Sequence, residues 1–464
     1  MSDGALSAGS TLPRLPGWAG AAVLLIATGL IGGMFGATIR PLFVLGCGVV
    51  GWLAWRQGPG AHLQAVLMLF AFSPFVRRIV DLSVGYDTSG VMLVGPLIAL
   101  LVTAPRLLRL LDPARPRHQQ IVPLLLVGAC VVYAAALSMI QGDWTNAASG
   151  SIKWIAPIVY ALALVEVSDR DEMIRAATSA FLVILPIIGL YGIYQYVNPP
   201  DWDRYWVSFA PILSIGQALP YSLRTFATMN SPASFATFTA IGLLLLCFAR
   251  ANWQSLLLAS PATVALMLSQ YRTAWISLAV GVVFCMLFAR TRLRATGLVV
   301  GITVVVALAS LLTPFGEIIG ERLATFSEGA QDGSAQERLD QFVALWNLPD
   351  SSLFGVGFTF SDVGTAGAMA VDGMIISCWL TMGIVVGSIC LLALGWAISN
   401  AVAVALRERS REAILIGALA IGALVQLPLA SLTSGENGFL FWTFVVLTTT
   451  PRAVTQRLQS RTSE

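Results

Sequence analysis

Apolar runs long enough to cross a bilayer recur along almost the whole chain, and one long polar stretch interrupts them. A crossing helix needs about 20 mostly apolar residues. On that measure the runs at 17–34, 41–55, 61–75, 90–104, 121–140, 151–166, 176–196, 232–249, 254–269, 273–290, 296–313, 371–397, 412–431 and 437–450 predict about 12–14 transmembrane helices. The expected fold class is therefore an all-α polytopic membrane protein, one integral membrane domain over residues 1–464 with helix packed on helix. The exception is 314–370, far longer than helix connections need, and loops of that length commonly carry function. Within it, Ser334 and Glu337 have capping-box spacing and open a short amphipathic helix. Leu339, Phe342, Val343 and Trp346 share one face of it, with Arg338 and Asp340 off that stripe. The stretch ends on Gly355-Val356-Gly357, and the chain re-enters an apolar run at Val371-Asp372-Gly373.

Composition supports the membrane reading: 57% of residues are hydrophobic and 11% charged, against about 25% charged in an average soluble protein. The net charge of +3 says little about partners, and no nucleic-acid partner is expected, but the placement of the basic residues sets an orientation. With the N-terminus inside, the cytoplasmic side receives Arg14, Arg56, Arg106, Arg109, Arg115, Arg117, Arg170, Arg175, Arg250 and the arginines of 290–294, 407–411 and 452–461. The other side receives half as many: Arg40, Arg77, Arg78, Lys153, Arg204, Arg224, Arg272, Arg322 and Arg338. The positive-inside rule then puts both termini in the cytoplasm and the long loop outside. The N-terminal apolar run reads as a first span rather than a cleaved signal. All six cysteines fall inside expected spans, and no spacing suggests a disulfide or a metal site. His62 and His118 both fall on the cytoplasmic side, so outer-face chemistry has no histidine to use.

Several outer cations have two readings. Arg77 and Arg78 can snorkel and pair with Asp81, or bind an anion. Lys153, the only lysine, sits beside Trp154 as an interfacial anchor or as a phosphate contact. Trp202, Tyr205, Trp206 and Tyr221 suit either an aromatic belt or a platform for sugar rings. Arg224 opens Arg-Thr-Phe-Ala-Thr-Met-Asn-Ser-Pro, and Arg272 lies in Ser-Gln-Tyr-Arg-Thr-Ala-Trp, squeezed into a very short turn. A guanidinium withdrawn from water costs several kcal/mol unless acceptors meet it. Helix-end carbonyls or an acid would satisfy Arg272, and so would a phosphate, which fits its planar donor fork.

In order along the chain come R-T-F-A-T-M-N-S-P from Arg224, S-Q-Y-R-T-A-W around Arg272, E-R-x-x-x-F-x-x-x-W from Glu337, G-V-G-F from Gly355, and Asp372-Gly373 followed by Gly383-Ile384. Over roughly residues 220–385 this series resembles the O-antigen ligase and polysaccharide polymerase superfamily. The resemblance implies a GT-C-like, all-helical fold and an inverting glycosyltransferase that uses no cofactor. It also implies action outside the bacterial inner membrane, with an undecaprenyl-diphosphate-linked glycan as donor and a lipid-linked glycan as acceptor. A chain-length regulator and export machinery are further expected partners. By resemblance Arg224, Arg272 and Arg338 hold the diphosphate. Two positions depart from the family pattern: Ala227 stands where members often have Gly, and Asp372 where ligases carry a His-Asn pair. The acid makes the chain look more like a polymerase than a ligase.

The chemistry of the residues agrees. A lipid diphosphate is a good leaving group whose growing charge fixed guanidiniums can stabilise without a metal. The acceptor hydroxyl needs a base, for which Asp372 at a span mouth is the first candidate, its other role being a helix cap. Glu337 and Asp340 are weaker candidates, as is Arg322 for the diphosphate, and Glu436 is weaker still. The rivals are a transporter or lipid-linked-glycan flippase and a non-catalytic assembly partner. Transporters place ionisable groups at mid-membrane in broken helices, whereas nearly all charges here fall at span ends.

Overall fold

The computed structural model describes residues 16–111, 120–165, 169–210, 212, 215–249, 253–312, 315–316, 320, 343, 351–358, 373–430 and 432–449. Among them, eight helical stretches are long and apolar enough to cross a membrane, and three shorter apolar helices accompany them. One of the eight, Ala19–Gln57, contains two of the expected spans. In it α1 (Ala19–Ile31) and α2 (Ile39–Gln57) are joined by a 3-10 turn in which Gly36 adopts φ 56° and ψ −148°. Gly20 faces Val50 and Gly46 faces Leu24, so the two run antiparallel.

After Gly58, at φ 140°, α3 (Pro59–Val84) runs through the centre of the bundle. Its most apolar window is 78% buried, against 22% for the peripheral stretch before it. A short α4 (Gly95–Leu101) is followed by α5 (Ile121–Ile140), α6 (Trp144–Val165) and α7 (Arg170–Val197). The side chain of Asp169 caps α7 by accepting from the Asp171 amide. Next come α8 (Asp201–Phe209), α9 (Pro232–Ala249), α10 (Trp253–Leu268), α11 (Arg272–Met286) and α12 (Ala289–Leu312). Last are a single turn, α13 (Ser351–Phe354), the long α14 (Met374–Glu408), α15 (Arg411–Gln426) and α16 (Gly435–Val446). The fold is all-helical; the one β-type pairing among the described residues is an isolated antiparallel bridge, Gly216 to Leu223.

The packing follows the sequence neighbours in part only. α7 packs on α3 and α10, α5 lies between α6 and α14, and α15 lies between α11 and α14. At the end assigned to the cytoplasm, Arg170 is 2% exposed and ties three helices together. It meets Glu408 at 2.7 Å and donates to the carbonyls of Leu447 and Thr448 just beyond α16, where a cation also suits the helix dipole.

Several elements differ from the expected boundaries: α3, α7 and α12 extend beyond their runs, α4 is shorter than its run, α8 lies where no run was expected, and two more bear on the site. Helix α6 begins at Trp144 rather than near 151, so Lys153 lies roughly 13 Å along it at 1.5 Å per residue. Helix α14 is 35 residues long and breaks at Gly383, at φ 77° and ψ 166°. Most of the 314–370 connection lies outside the described residues; of its expected amphipathic helix only Val343 is described, as helical and 59% exposed.

Candidate functional site

The end of the bundle assigned to the outside by the positive-inside reading holds two groups of arginines. The first belongs to α2 and α3. Arg40 bonds Asp81 at 2.9 Å, and Arg77 lies 3.2 Å from the same carboxylate. Arg77 also donates to the Asp87 carbonyl and Arg40 to that of Gly85. Arg78 is fully buried, its Nε 2.8 Å from Asp203 and its two terminal nitrogens donating at 2.5 Å to the carbonyls of Ala227 and Met229. The Arg77–Asp81 pairing expected from sequence is present. Snorkelling of Arg78 is not: its guanidinium points inward, where a carboxylate, two carbonyls and the rings of Phe226, Phe75 and Trp206 surround it.

The second group is Arg224 and Arg272, both partly exposed. Arg272 is the first residue of α11, after a turn in which Gln270 takes φ 55°. The rest of its motif closes that turn. Ser269 Oγ donates to the Leu266 carbonyl at 2.6 Å and accepts from the Tyr271 amide, and the Trp275 indole donates to Leu266 at 3.1 Å. The guanidinium is thereby carried on a fixed stem at the positive end of a helix, where the dipole adds to its attraction for anions. The Arg224 segment is tied to the same turn: the Thr225 amide donates to the Leu268 carbonyl at 3.3 Å, and the Arg224 amide to Ile215 at 2.9 Å.

The register of α11 against α15 brings a third stretch to this rim. Gly281 packs on the Ala418 carbonyl and Gly422 on Ser277, so four residues up α11 correspond to four residues along α15 in the opposite sense. Five more put Arg272 level with Leu427, on axes about 8–10 Å apart for packed helices. The Leu427 carbonyl accepts the Met374 amide at 2.9 Å, and Gly373 abuts the Pro428 carbonyl so closely that no side chain fits there. The start of α14 is thus held beside the Arg272 rim. Its N-cap is Gly373, which assigns the capping position to that residue; Asp372, like Arg322, Glu337, Arg338 and Asp340, lies outside the described residues.

The spacing from Asp372 to Gly383 acquires a physical reason. Met374 to Met382 forms a half-helix with a close backbone contact at each end. At the inner end Gly383 meets Gly355: a side chain on either would overlap the other's backbone, and the Val356 amide donates to Leu380 at 3.0 Å. Gly357, at φ 73°, lies against Ser138 of α5, whose hydroxyl accepts the Phe358 amide at 2.6 Å. Tyr133 donates to the Phe354 carbonyl at 2.8 Å. The far end of the long connection is therefore fastened to α5 and the break in α14. Its near end is fastened by Phe315, packed edge-on to Tyr196 and beside Leu268, close to the Thr225–Leu268 tie.

Lys153 is exposed on α6, one turn beyond Gly150, against which Phe358 packs. It borders the fastened end of the long connection. The four aromatic residues do not form one belt. Trp206 is 3% exposed, Trp202 donates to the Tyr191 hydroxyl at 2.8 Å, and the Tyr205 hydroxyl accepts the Tyr86 amide at 3.1 Å. Of the four, Tyr221 is the one listing toward the surface, at 47% exposure. Sequence reading passed over Asp203 and Gln195, whose partners come from distant segments; the acid within Asp-Trp-Asp-Arg was the available signal. It also passed over Thr228 and Asn230, whose side-chain oxygens find no partner among the described residues.

These features define a multi-pass, all-helical membrane protein with a polar rim gathered at one end. Residues 255–391 match the family described as O-Antigen ligase, a stretch that takes in Arg272, the long connection and the break in α14. That match, over residues 255–391 of 464, supports the O-antigen ligase and polymerase superfamily and implies a glycan-transferring enzyme of the ligase or polymerase type. No curated protein matches the chain.

Proposed function

We propose that the protein is a glycan polymerase working at the outer, periplasmic face of the inner membrane. It joins repeat units carried on undecaprenyl diphosphate, on a helical scaffold of the GT-C-like kind. The observation that carries this reading is the convergence of three motif stretches on one rim: the Arg224 segment bonded to Leu268, Arg272 at the head of α11, and Leu427 holding the start of α14 next to Asp372. A donor diphosphate would lie against Arg224 and Arg272, with Arg338 reaching it from the long connection. The acceptor hydroxyl attacks the anomeric carbon from the face opposite the diphosphate. The carbon–oxygen bond to the carrier breaks with inversion, and the hydroxyl proton passes to Asp372. The negative charge left on undecaprenyl diphosphate is met by the guanidiniums, which act electrostatically and need no metal. Lys153, exposed on α6, would meet the acceptor's phosphates.

The family description favours a second reading, transfer of the finished glycan to another lipid or to a protein, as a ligase does. One experiment separates them. Purified protein is incubated with a lipid-diphosphate-linked oligosaccharide alone, and products are resolved by mass for the natural chain and Asp372→Ala. Polymerisation gives a ladder of repeat units on one carrier, absent in the variant. No ladder, with transfer once a foreign acceptor is added, establishes the ligase; no turnover with any acceptor returns the transporter and assembly-partner readings.

A further inference from the structure

The segment from Arg224 to Asn230 belongs to no helix, so its backbone groups have no ladder to satisfy them. A buried polar group left unpaired costs about 1–3 kcal/mol. The Arg224 and Thr225 amides use the Ile215 and Leu268 carbonyls, and around Ala227 the partners come from one side-chain assembly. Gln195, near the end of α7 and fully buried, accepts the Phe226 amide at 3.1 Å and the Ala227 amide at 2.8 Å through its carbonyl oxygen. Its amide nitrogen donates to Asp203 at 2.6 Å and to the Ala227 carbonyl at 3.3 Å. Asp203 is fully buried and also accepts from the Tyr191 hydroxyl at 2.7 Å. It holds Arg78, which bonds the carbonyls of Ala227 and Met229. These contacts hold Ala227 at φ 47°, a left-handed conformation that an L-residue with a Cβ reaches only at a cost. The turn at Ala227 follows Arg224 by three residues and so directs the backbone that carries it.

A buried ion pair is a weak source of net stability, because withdrawing both charges from water costs about what their attraction returns. What this pair supplies is direction: donors and acceptors at fixed places around one non-helical turn. We infer that Gln195, Asp203 and Arg78 are positioning residues that hold the 224–230 turn so that Arg224 meets the donor's diphosphate. The inference rests on the reading of Arg224 as a diphosphate-binding group. Arg78 thus serves the reaction through Arg224 rather than by touching the anion itself.

A double-mutant cycle tests this. Transfer from the lipid-diphosphate oligosaccharide is measured as kcat and donor KM for the natural chain, Gln195→Ala, Arg224→Ala and the double variant, with thermal unfolding of each. A displacement of the turn by about 1 Å predicts roughly a 10- to 100-fold lower kcat/KM for Gln195→Ala, with raised donor KM. On the Arg224→Ala background the same change should cost no further activity, since nothing remains to be positioned. Additive losses in the double variant would mean a general structural role and overturn the inference. An Arg224→Ala protein with normal transfer would instead sink the assignment of Arg224, and the positioning role with it. Asp203→Asn keeps the shape of the assembly while weakening its hold on Arg78, and supplies a second arm if Gln195→Ala does not fold. It should show the same dependence on Arg224, and full activity in Asp203→Asn would count against the inference.

Discussion

Arg78 and Arg272 share a residue type and an end of the molecule, yet they stand in opposite situations. Arg78 lies inside the bundle with no exposed surface, its guanidinium enclosed by Asp203, two backbone carbonyls and three aromatic rings. Arg272 is partly exposed, on the first residue of a helix whose own dipole already makes that end positive. An arginine at a helix C-terminus is favoured by the dipole; one at an N-terminus works against it, and an anion bound there would offset that cost. The same contrast extends to the two groups. Arg40, Arg77 and Arg78 face Asp81, Asp87 and Asp203 within the protein, whereas Arg224 and Arg272 are carried by a non-helical turn and a helix start that the backbone ties together. Burial, more than residue type, separates them: Arg78 is enclosed in the fold, whereas Arg272 is exposed enough to meet a ligand, the role we propose for it.

The largest effects should come from exchanging those situations. Arg272→Ala should lower transfer by about 100- to 1,000-fold, as loss of one fixed charge-stabilising donor does, with unfolding almost unmoved. Arg78→Met strands the Asp203 carboxylate in the interior and should cost about 3–5 kcal/mol of stability, as breaking other buried pairs does. Thermal unfolding and lipid-substrate turnover on the two variants check both; equal losses of stability would erase the distinction.

A smaller effect tests the turn between the groups. Ala227 at φ 47° is strained where glycine would not be, so Ala227→Gly should leave transfer intact and raise stability by roughly 1 kcal/mol. A fall in stability would show that the Ala227 methyl, packed toward Gly192, matters more than the backbone.

The smallest effect concerns Asp87, outside the spans. Burial pushes its carboxyl up, but hydrogen bonds from Ser89 and Val91 and the charge of Arg40 hold it below the usual carboxylate value. Because the folded pKa is the lower one, the stabilisation is present at neutral pH and is lost as pH falls through that value. Asp87→Asn should therefore cost about 1 kcal/mol near pH 7 and progressively less on acidification, read from unfolding temperatures across that range.

Much of the molecule was legible in the chain because hydrophobic runs of crossing length have few alternatives in a bilayer. Helices α5, α9, α10 and α11 fall close to the expected runs for that reason. The turn before Arg272 was legible too, since Leu268 and Arg272 leave only three residues between two helices. Boundaries were less so: α6 starts earlier than its apolar run because Trp144 to Gly150 is polar enough to read as loop yet helical in context. The aromatic cluster misled for a related reason. Trp206 looked like a membrane-interface residue, and only its neighbours Arg78 and Phe226, far away in sequence, make it interior.

The sequence by itself determined that the chain is a helical membrane protein and which arginine motifs and glycine-marked spacing to inspect. These are local properties, written in runs, turns and intervals. Tertiary structure alone decided that Arg78 is internal, that Gln195 and Asp203 shape the Arg224 turn, and that Arg272 stands level with the start of α14. Each of those depends on hydrogen bonds and packing registers between helices distant in sequence, which no local pattern encodes.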